Sequence, residues 1–250
     1  MKKEKVICII PARYGSERLK GKVLYQINGR SILERVYNRA KLVKSFSDIY
    51  IATDHEKIIA AAEKFGAKTI MTCGRYHCGS DRVADAARKL DADIIVNIQA
   101  DEPYIPVDAV EKPLRMLIED KSLPVTTAAT KIRKTEELYD PNIAKIVLDR
   151  DNFTLYSSRS LIPYPNVYFS DKKPASLKKV VFYKHIGVYL FRKKFLQRFA
   201  KLPVSYLEKT ESLEQLRIIE NGYKLKVAIV AQDSPCVDTL DDIKRIEGKS

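Results

Sequence analysis

The sequence predicts an α/β protein built on a doubly wound, mostly parallel sheet, with a smaller strand-rich region after it. Short apolar runs alternate with segments of helical apolar spacing over about the first 120 residues, which indicates four βα units. The later segments are richer in Val, Ile, Thr and Tyr and carry fewer helix signals, which favours antiparallel strands there.

In the first half, apolar runs predict strands and a 3.6-residue apolar period predicts helices. Ser31, with Glu34 three residues later, predicts the start of the first helix, and Gly66 predicts the end of the second. The predicted strands are 6–10, 48–52, 68–72 and 94–98, and the predicted helices are 31–43, 55–65, 80–90 and 107–118.

In the second half we predict antiparallel strands that are inserted into the main sheet or flank it. These strands are 123–131, 143–149, 153–157 and 178–191. A proline-containing exposed loop is expected over 162–176. A helix over 211–221, a strand over 224–230 and a last helix from about residue 239 complete the prediction.

Composition narrows the function classes. Within the 250 residues, 45% are apolar, and the first apolar run of five residues is too short for an export signal or a membrane span. A cytoplasmic protein with four free thiols and no structural zinc is therefore expected. The net charge of +13 comes from scattered basic residues without a basic tail, so we expect no nucleic-acid partner and no membrane partner.

The loop that follows the first strand is the strongest local signal. It covers residues 11–22 and carries two glycines, two arginines and two lysines. Backbone N–H groups near glycine and fixed cations are what a polyphosphate requires, although such a loop can also be a solvated surface. It matches neither the P-loop pattern nor the dinucleotide-binding pattern.

Two carboxylates are candidates for holding Mg²⁺ on a nucleotide. Asp101 follows the fourth predicted strand, and Asp238 precedes the last predicted helix. A carboxylate at the carboxyl end of a central strand, near a basic loop, is typical of nucleotidyl transfer. Simpler readings are a turn residue for Asp101 and a helix cap at Asp241.

An ordered set of motifs resembles the cytidylyltransferases that activate 3-deoxy-manno-octulosonate (Kdo), the CMP-Kdo synthetases. The set covers almost the whole chain. The matching segments are IPARYGS (10–16), RL (18–19), GK (21–22), ATD (52–54), GSDR (79–82), NIQ (97–99), DEP (101–103), SRS (158–160), IP (162–163), KHIGVY (184–189), ESLEQLR (211–217) and VDT (237–239).

The resemblance implies a single cytidylyltransferase domain over residues 1–250, with the fold of the nucleotide-diphospho-sugar transferases. Residues 1–120 would form the nucleotide-binding half, and residues 121–250 the half for sugar binding and homodimerisation. The implied reaction joins CTP and Kdo, with Mg²⁺ as cofactor, into CMP-Kdo and pyrophosphate for lipopolysaccharide synthesis.

The resemblance also implies roles for individual residues. The catalytic positions would be Arg13, Lys22, Asp101 and Asp238, the last two as Mg²⁺ ligands. The nucleotide positions would be Ala12, Arg13, Gly15, Ser16, Lys22, Ser80, Arg82 and Gln99. The sugar-acid positions would be Gln99, Arg159, His185, Tyr189, Glu214 and Gln215, with a core histidine and solvated helix residues as the plainer readings of His185, Glu214 and Gln215.

Three positions depart from the family pattern. Ala100 stands where the family usually has Gly, which would strain the placement of Asp101 if the backbone there needs a positive φ. Cys78 stands where Ser is usual, and Lys20 where Pro is common. Two other functions stay open from the residues: a cytidylyltransferase for an amino-substituted Kdo or a nonulosonate, and a non-catalytic nucleotide-binding or nucleic-acid-binding protein.

Overall fold

The computed structural model describes residues 4–15, 19–166, 169–170, 173–174, 177, 180–237 and 240–247. The strands are β1 Val6–Ala12, β2 Gln26–Ile27, β3 Arg30–Ser31, β4 Asp48–Thr53, β5 Lys68–Met71, β6 Ile94–Ile98, β7 Val125–Lys131, β8 Lys145–Leu148, β9 Thr154–Ser158, β10 Phe169–Ser170, β11 Lys173–Pro174, β12 Tyr183–Arg192 and β13 Lys226–Val230. The helices are α1 Ile32–Ala40, α2 Glu56–Lys64, α3 Gly79–Ala87, α4 Asp108–Glu119, α5 Thr135–Tyr139, α6 Lys193–Phe199, α7 Tyr206–Glu211, α8 Gln215–Glu220 and α9 Leu240–Glu247. None of the helices within the described ranges is both long and apolar enough to cross a bilayer.

A mixed sheet with the strand order β13-β7-β12-β6-β1-β4-β5 forms the centre of the molecule. The run from β6 through β1 and β4 to β5 is parallel, as the βα alternation predicts. All seven residues of β1 are buried, because helices cover both faces of the sheet at this strand.

Side chains of β1 alternate between two cores. Cys8 and Ile10 pack with α1, α2 and α4 on one face, whereas Ile7 and Ile9 pack with α3 and α6 on the other. This arrangement confirms the doubly wound α/β prediction.

The second half completes the same sheet. β12 lies between β6 and β7 and is antiparallel to both, and β13 pairs with β7 in parallel. β8 and β9 branch from β12 as an antiparallel extension. The predicted antiparallel strands are therefore confirmed, some within the main sheet and some beside it.

A bulge interrupts the pairing of β12 with β7. Ile186 lies opposite Ala128 and Tyr189 lies opposite Thr127, so that two residues of β12, Gly187 and Val188, have no counterpart on β7. The extra residues shorten the strand locally. The ring centroids of His185 and Tyr189, on either side of the bulge, lie 5.1 Å apart, whereas the Cα atoms of residues four apart on a regular strand are separated by about 13 Å.

The predicted helix starts and ends are confirmed for α1 and α2. The Ser31 hydroxyl accepts a hydrogen bond from the backbone N–H of Glu34 at 3.1 Å, which satisfies a free donor of the first turn. Gly66, just after α2, has a φ of 72°, a left-handed conformation that glycine adopts without strain.

The helix predicted over 211–221 is confirmed at its end, because α8 ends at Glu220 with Asn221 as its C-cap, but a single continuous helix is wrong. Two helices, α7 and α8, replace it, and Ser212 between them has a φ of 53°. The buried Arg217 of α8 pairs with Glu208 of α7 and with Asp81 of α3, at 2.6 and 2.7 Å. These ion pairs hold the two short helices against α3 in an arrangement that one continuous helix would not allow.

The sequence also missed α6, which directly continues β12. The region predicted as a loop over 162–176 contains the short β10–β11 pair, and part of it lies outside the described residues.

Candidate active site

A cavity of about 620 Å³ opens at the carboxyl ends of β1 and β6. The loops that follow β1, β5 and β6 converge there with the first part of β12 and with the α7–α8 junction, as is usual for ligand sites of doubly wound sheets. The predicted site residues that line the cavity are Arg13, Lys22, Arg82, Gln99, Asp101, Arg159, His185, Tyr189, Glu214 and Gln215.

Other predicted site residues do not line the cavity. Ala12 is buried in the core, and the buried hydroxyl of Ser80 accepts a hydrogen bond from the Asn97 amide at 3.0 Å. Gly15 is exposed and lies apart from the lining. Ser16 and Asp238 lie outside the described residues. The nucleotide contacts of Ala12, Ser80, Gly15 and Ser16, and the metal contact of Asp238, stay predictions.

The basic loop is anchored through Tyr14. The Tyr14 ring stacks on His55 with 3.9 Å between the centroids, and its carbonyl accepts the N–H of Gly21 at 2.8 Å. Gly21 has a φ of 70°, and a Cβ on it would lie 3.2 Å from the Tyr14 ring. The loop is therefore closed by local contacts, and it carries Arg13 exposed at the cavity and Lys22 half-buried within it.

Arg82 connects this loop to the rest of the lining. Its guanidinium bonds Asp54 at 2.8 Å and donates to the Thr72 hydroxyl at 2.7 Å. Burial alone would raise the pKa of Asp54, but the Arg82 hydrogen bond and charge, together with the Tyr14 N–H, hold that pKa below its usual value. Arg82 thus faces the cavity with two of its guanidinium nitrogens already bound.

Lys22 and Asp101 form an ion pair inside the cavity. The Lys22 ammonium lies 3.0 Å from a carboxylate oxygen of Asp101. The preceding residue, Ala100, is not among the described residues with positive φ, so the alanine that departs from the family pattern does not strain the position of Asp101. The carbonyl of Asp101 accepts the N–H of Val237 at 3.0 Å, which brings the chain next to Asp101 one residue before Asp238.

Glu102, next to Asp101, is buried beneath the cavity. Its carboxylate accepts hydrogen bonds from the Gly187 N–H and from the Ser234 hydroxyl. Burial raises the pKa of Glu102 to about 7, against the effect of these hydrogen bonds, which favour the charged form.

Glu214 is held by two donors from different elements. Its carboxylate accepts from the Gln99 amide and from the backbone N–H of Ser80, each at 2.9 Å. A Cβ on Gly79 would lie 2.8 Å from the Gln99 amide nitrogen, so a larger residue at position 79 would displace the end of the Gln99 side chain that binds Glu214. The interpretation of Glu214 as a solvated helix residue is therefore wrong, because both of its carboxylate oxygens are bound by donors from other elements. Burial raises the pKa of Glu214 above its usual value.

Gln215 is likewise enclosed, contrary to the reading of a solvated helix residue. Its carbonyl accepts from the Tyr189 hydroxyl at 2.7 Å, and its amide nitrogen has no hydrogen-bond partner among the described residues. A buried amide N–H₂ at a cavity wall is a donor available to a ligand.

His185 presents a neutral ring at the same wall. The Thr127 hydroxyl lies 2.8 Å from His185 Nε2 and donates its own proton to the Val188 carbonyl at 2.6 Å. Thr127 can then only accept from His185, which assigns the proton to Nε2 and leaves Nδ1 as an acceptor. Burial lowers the pKa of His185 to about 4, so the ring is uncharged at neutral pH.

Arg159 lies at the cavity rim, where hydrogen bonds to three backbone carbonyls fix the orientation of its guanidinium group. It donates to the carbonyls of Glu211 and Pro141 at 2.8 Å and of Ser212 at 3.3 Å. Behind it, the ammonium of the buried Lys145 donates to the Arg159 carbonyl, and burial lowers the pKa of Lys145 to about 8. Three hydrogen bonds leave two of the five guanidinium N–H groups for a ligand.

Several lining residues were not predicted. Tyr76, Cys78, Glu208 and Lys209 also face the cavity. Glu208 and Lys209 lie on α7. The sequence predicts a helix only from residue 211 onward, so it gives no sign that these two residues lie on a helix beside the cavity. The thiol of Cys78 stays protonated, because burial raises its pKa well above the usual value.

Comparison with known proteins agrees with this geometry. A family model described as cytidylyltransferase matches residues 7–228. The chain belongs to the cytidylyltransferase family. A relative from Geotalea daltonii, named 3-deoxy-manno-octulosonate cytidylyltransferase, is 41% identical over 97% of this chain and 96% of its own. A relative of the same name from Francisella philomiragia is 43% identical over 95% of each chain.

Solved structures show the same fold. A CMP:2-keto-3-deoxy-manno-octonic acid synthetase complexed with CTP superimposes with a TM-score of 0.87, at 37% identity over 98% of both chains. A 4-diphosphocytidyl-2C-methyl-D-erythritol synthase from Anaerococcus prevotii gives 0.62 at 16% identity over 99% of both chains, which shows the fold alone.

The depressed pKa of His185 predicts a specific pH dependence of stability. As pH falls below the ordinary histidine value of 6.5, the unfolded chain takes up a proton that folded His185, with a pKa of about 4, does not. His185 should therefore reduce the free energy of unfolding by roughly 1–3 kcal/mol between pH 7 and pH 4, and His185→Gln should remove that part of the loss. Urea denaturation at both pH values measures it, with the exposed His77→Gln as control. Equal acid losses in all three proteins would contradict the assignment.

Proposed function

We propose that the protein transfers CMP from CTP to the anomeric hydroxyl of Kdo and releases pyrophosphate. The observation that carries the proposal is one cavity whose lining combines the basic loop after β1 with Arg159 and His185. We assign the basic loop to a nucleotide end of this cavity and Arg159 with His185 to a sugar end. The named relatives, which are matched along nearly their whole length, support the same substrates.

At the nucleotide end, cations and backbone suit a triphosphate. Arg13 is exposed at the cavity, and Lys22 lies deeper, paired with Asp101. Fixed positive charges stabilise the charge that develops on the phosphates as pyrophosphate leaves.

At the sugar end, the wall combines charge with neutral polar groups. The free N–H groups of Arg159 suit a carboxylate, and the Gln215 amide and the neutral His185 ring suit hydroxyls. Such a mixture fits a polyhydroxylated acid better than it fits a nucleic-acid backbone, so we propose small-molecule substrates and no nucleic-acid partner.

Asp101 is the described residue that fits a magnesium ion. Its carboxylate faces the cavity beside the basic loop, and carboxylate oxygen is the ligand type that Mg²⁺ prefers. The Val237 contact, one residue before Asp238, supports Asp238 as the second ligand. Magnesium supplies charge stabilisation on the phosphates and acidifies the attacking hydroxyl when bound. With Asp101 bound to the metal, Lys22 would contact the triphosphate in place of Asp101.

No protein nucleophile is required, because the sugar hydroxyl itself attacks the α-phosphate. The protein's part is to orient that hydroxyl and to hold the leaving phosphates. Turnover of the wild-type protein with CTP, Kdo and Mg²⁺, followed as pyrophosphate release, tests the proposal, and a panel of other sugar acids tests the sugar. The predicted cytoplasmic location stays a prediction.

We expect Asp101→Asn to lose activity at least about 100-fold and to remain folded, because the amide keeps the shape but not the charge that holds the cation. Pyrophosphate release at saturating CTP and Kdo measures the effect. Asp91→Asn is the matched control, since the Asp91 side chain is 95% exposed. Near-normal turnover of the Asp101 variant would remove this residue from the metal site.

Substitutions at the two proposed ends of the cavity should change different quantities, the KM for Kdo at one end and the affinity for CTP at the other. Arg159→Lys should raise the KM for Kdo about tenfold or more, because lysine lacks the planar fork, while CTP affinity changes little. Arg13→Ala should weaken CTP first. Calorimetric titration of CTP, beside steady-state kinetics in Kdo, gives the comparison. If Arg159→Lys weakens CTP as much as Kdo, this division of the cavity is wrong.

We also propose a homodimer formed through the second half of the chain. Large apolar side chains are exposed there, among them Leu155 at 56%, Tyr164 at 67% and Val181 at 50%. We expect these side chains to contribute to a contiguous apolar surface that the partner covers. Light scattering at micromolar concentration should give about twice 28.6 kDa, and Leu155→Glu should lower that mass. A fully active monomer would refute the dimer.

A further inference from the structure

We propose that Glu102 is a positioning residue that fixes the sugar-acid wall relative to the loop that carries Asp101. The sugar-acid wall is the part of the cavity lining formed by His185, Tyr189 and Gln215. The inference rests on the proposed function but concerns a residue to which that function assigns no role. Glu102 is 5% exposed, and its two carboxylate oxygens bind two separate parts of the chain, Gly187 on β12 and Ser234 after β13.

The first contact secures the bulge in β12. Gly187 has no counterpart on β7, so its N–H needs another acceptor, and Glu102 Oε1 accepts it at 2.7 Å. The carbonyl of Gly187 in turn accepts the N–H of Gln99 at 2.9 Å. Both backbone groups of the bulged glycine are therefore bound to the loop that carries Asp101.

The Glu102 side chain lies close against the backbone of Gly187. A Cβ on Gly187 would lie 2.7 Å from Glu102 Oε1 and 3.2 Å from Cβ of Gln99. The carboxylate thus lies directly against the glycine backbone, and a bulged strand without this acceptor would bury an unsatisfied N–H.

The bulge determines the geometry of the sugar-acid wall. It brings the rings of His185 and Tyr189 to 5.1 Å, and Tyr189 holds Gln215 through its hydroxyl at 2.7 Å. Release of Gly187 would let β12 move toward regular pairing and would separate the two rings. Glu102 therefore acts on the positions of His185 and Tyr189 through its contact with Gly187.

The second contact reaches the segment that leads to Asp238. The Ser234 hydroxyl donates to Glu102 Oε2, and three residues later Val237 donates its N–H to the Asp101 carbonyl. Neighbouring residues of one loop, Asp101 and Glu102, thus hold this segment at two points. The same carboxylate ties the proposed metal loop to the sugar-acid wall.

The test compares Glu102→Ala, Glu102→Asp and Glu102→Gln with wild type. Alanine removes both contacts, and aspartate keeps the charge but is one methylene too short to reach both partners. Glutamine keeps an acceptor for Gly187 and a polar group for Ser234. Glu111→Ala is the matched control, because Glu111 also accepts from a serine hydroxyl, that of Ser45, but lies outside the cavity lining.

The first readout is NMR of the imidazole rings in the metal-free protein, which has only three histidines. Alanine and aspartate at residue 102 should shift the His185 signal, because the ring current of Tyr189 changes, and should leave His55 and His77 in place. Glutamine at 102 and alanine at 111 should leave all three signals unchanged.

The second readout is kinetic. The Ala and Asp variants should raise the KM for Kdo and the Mg²⁺ concentration for half-maximal rate about tenfold or more, with the CTP dissociation constant within about twofold of wild type. The Gln variant should keep both the KM for Kdo and the Mg²⁺ requirement close to the wild-type values. Ser234→Ala, which removes one contact, should raise only the Mg²⁺ requirement, and it serves with the Asp variant if the Ala variant does not fold.

A His185 signal that does not move in either the Ala or the Asp variant would overturn the inference, and so would a loss of melting temperature with unchanged KM and Mg²⁺ requirement. Failure of the proposed function has a different signature, because the wild-type protein itself would then release no pyrophosphate from CTP and Kdo.

Discussion

The insertion of β12 between β6 and β7 determines where the cavity forms. β12 runs antiparallel to β6, with Val188 opposite Ile98, so its first residues extend past the carboxyl end of β6. A parallel strand in this place would put its amino-terminal residues at the opposite edge of the sheet. One reversed strand therefore brings His185 and Tyr189 to the same edge as the basic loop and Asp101, and joins the two halves of the chain into one site.

At this edge of the sheet, buried charged side chains are stabilised by ion pairs and by hydrogen bonds from backbone N–H groups. Glu102 and Glu214 are both enclosed carboxylates, and each accepts hydrogen bonds from a backbone N–H and from a side chain. Arg217 is enclosed between two carboxylates. Because unpaired buried charges are costly, these contacts must form together with the fold, and they make the cavity wall rigid before any ligand binds.

The sequence predicted most of the fold because apolar patterning and caps are local properties. β6 was predicted at its observed bounds, and Ser31 and Gly66 have the predicted roles. The break at Ser212 within the predicted 211–221 helix was missed because Leu213 and Leu216 continue a helical apolar pattern, and no local signal indicates that Arg217 requires partners on two other helices. The ion pairs across the chain override the local periodicity.

The candidate site was harder to predict from the sequence than the fold. The resemblance pointed to the lining residues, but the supports behind them are long-range contacts: Lys145 behind Arg159, and Glu102 behind Gly187. Similarly, whether Ala100 strains the loop depends on its φ, which the residue type does not reveal. Glu102 lies within a recognisable motif, yet its partners are 85 and 132 residues away, and no spacing rule within the motif identifies them.

The distribution of charge around the cavity suits the proposed pair of substrates. Both substrates are anions, so they repel each other as the sugar hydroxyl approaches the α-phosphate. All four cations Arg13, Lys22, Arg159 and Lys209 line the cavity, and in the proposed division of the site Arg13 and Lys22 serve the triphosphate whereas Arg159 serves the sugar acid. Cations placed at both ends offset this repulsion more effectively than a single central cluster, because each anion is neutralised where its charge is concentrated. The neutral groups of His185 and Gln215 can orient the attacking hydroxyl without competing for the phosphates.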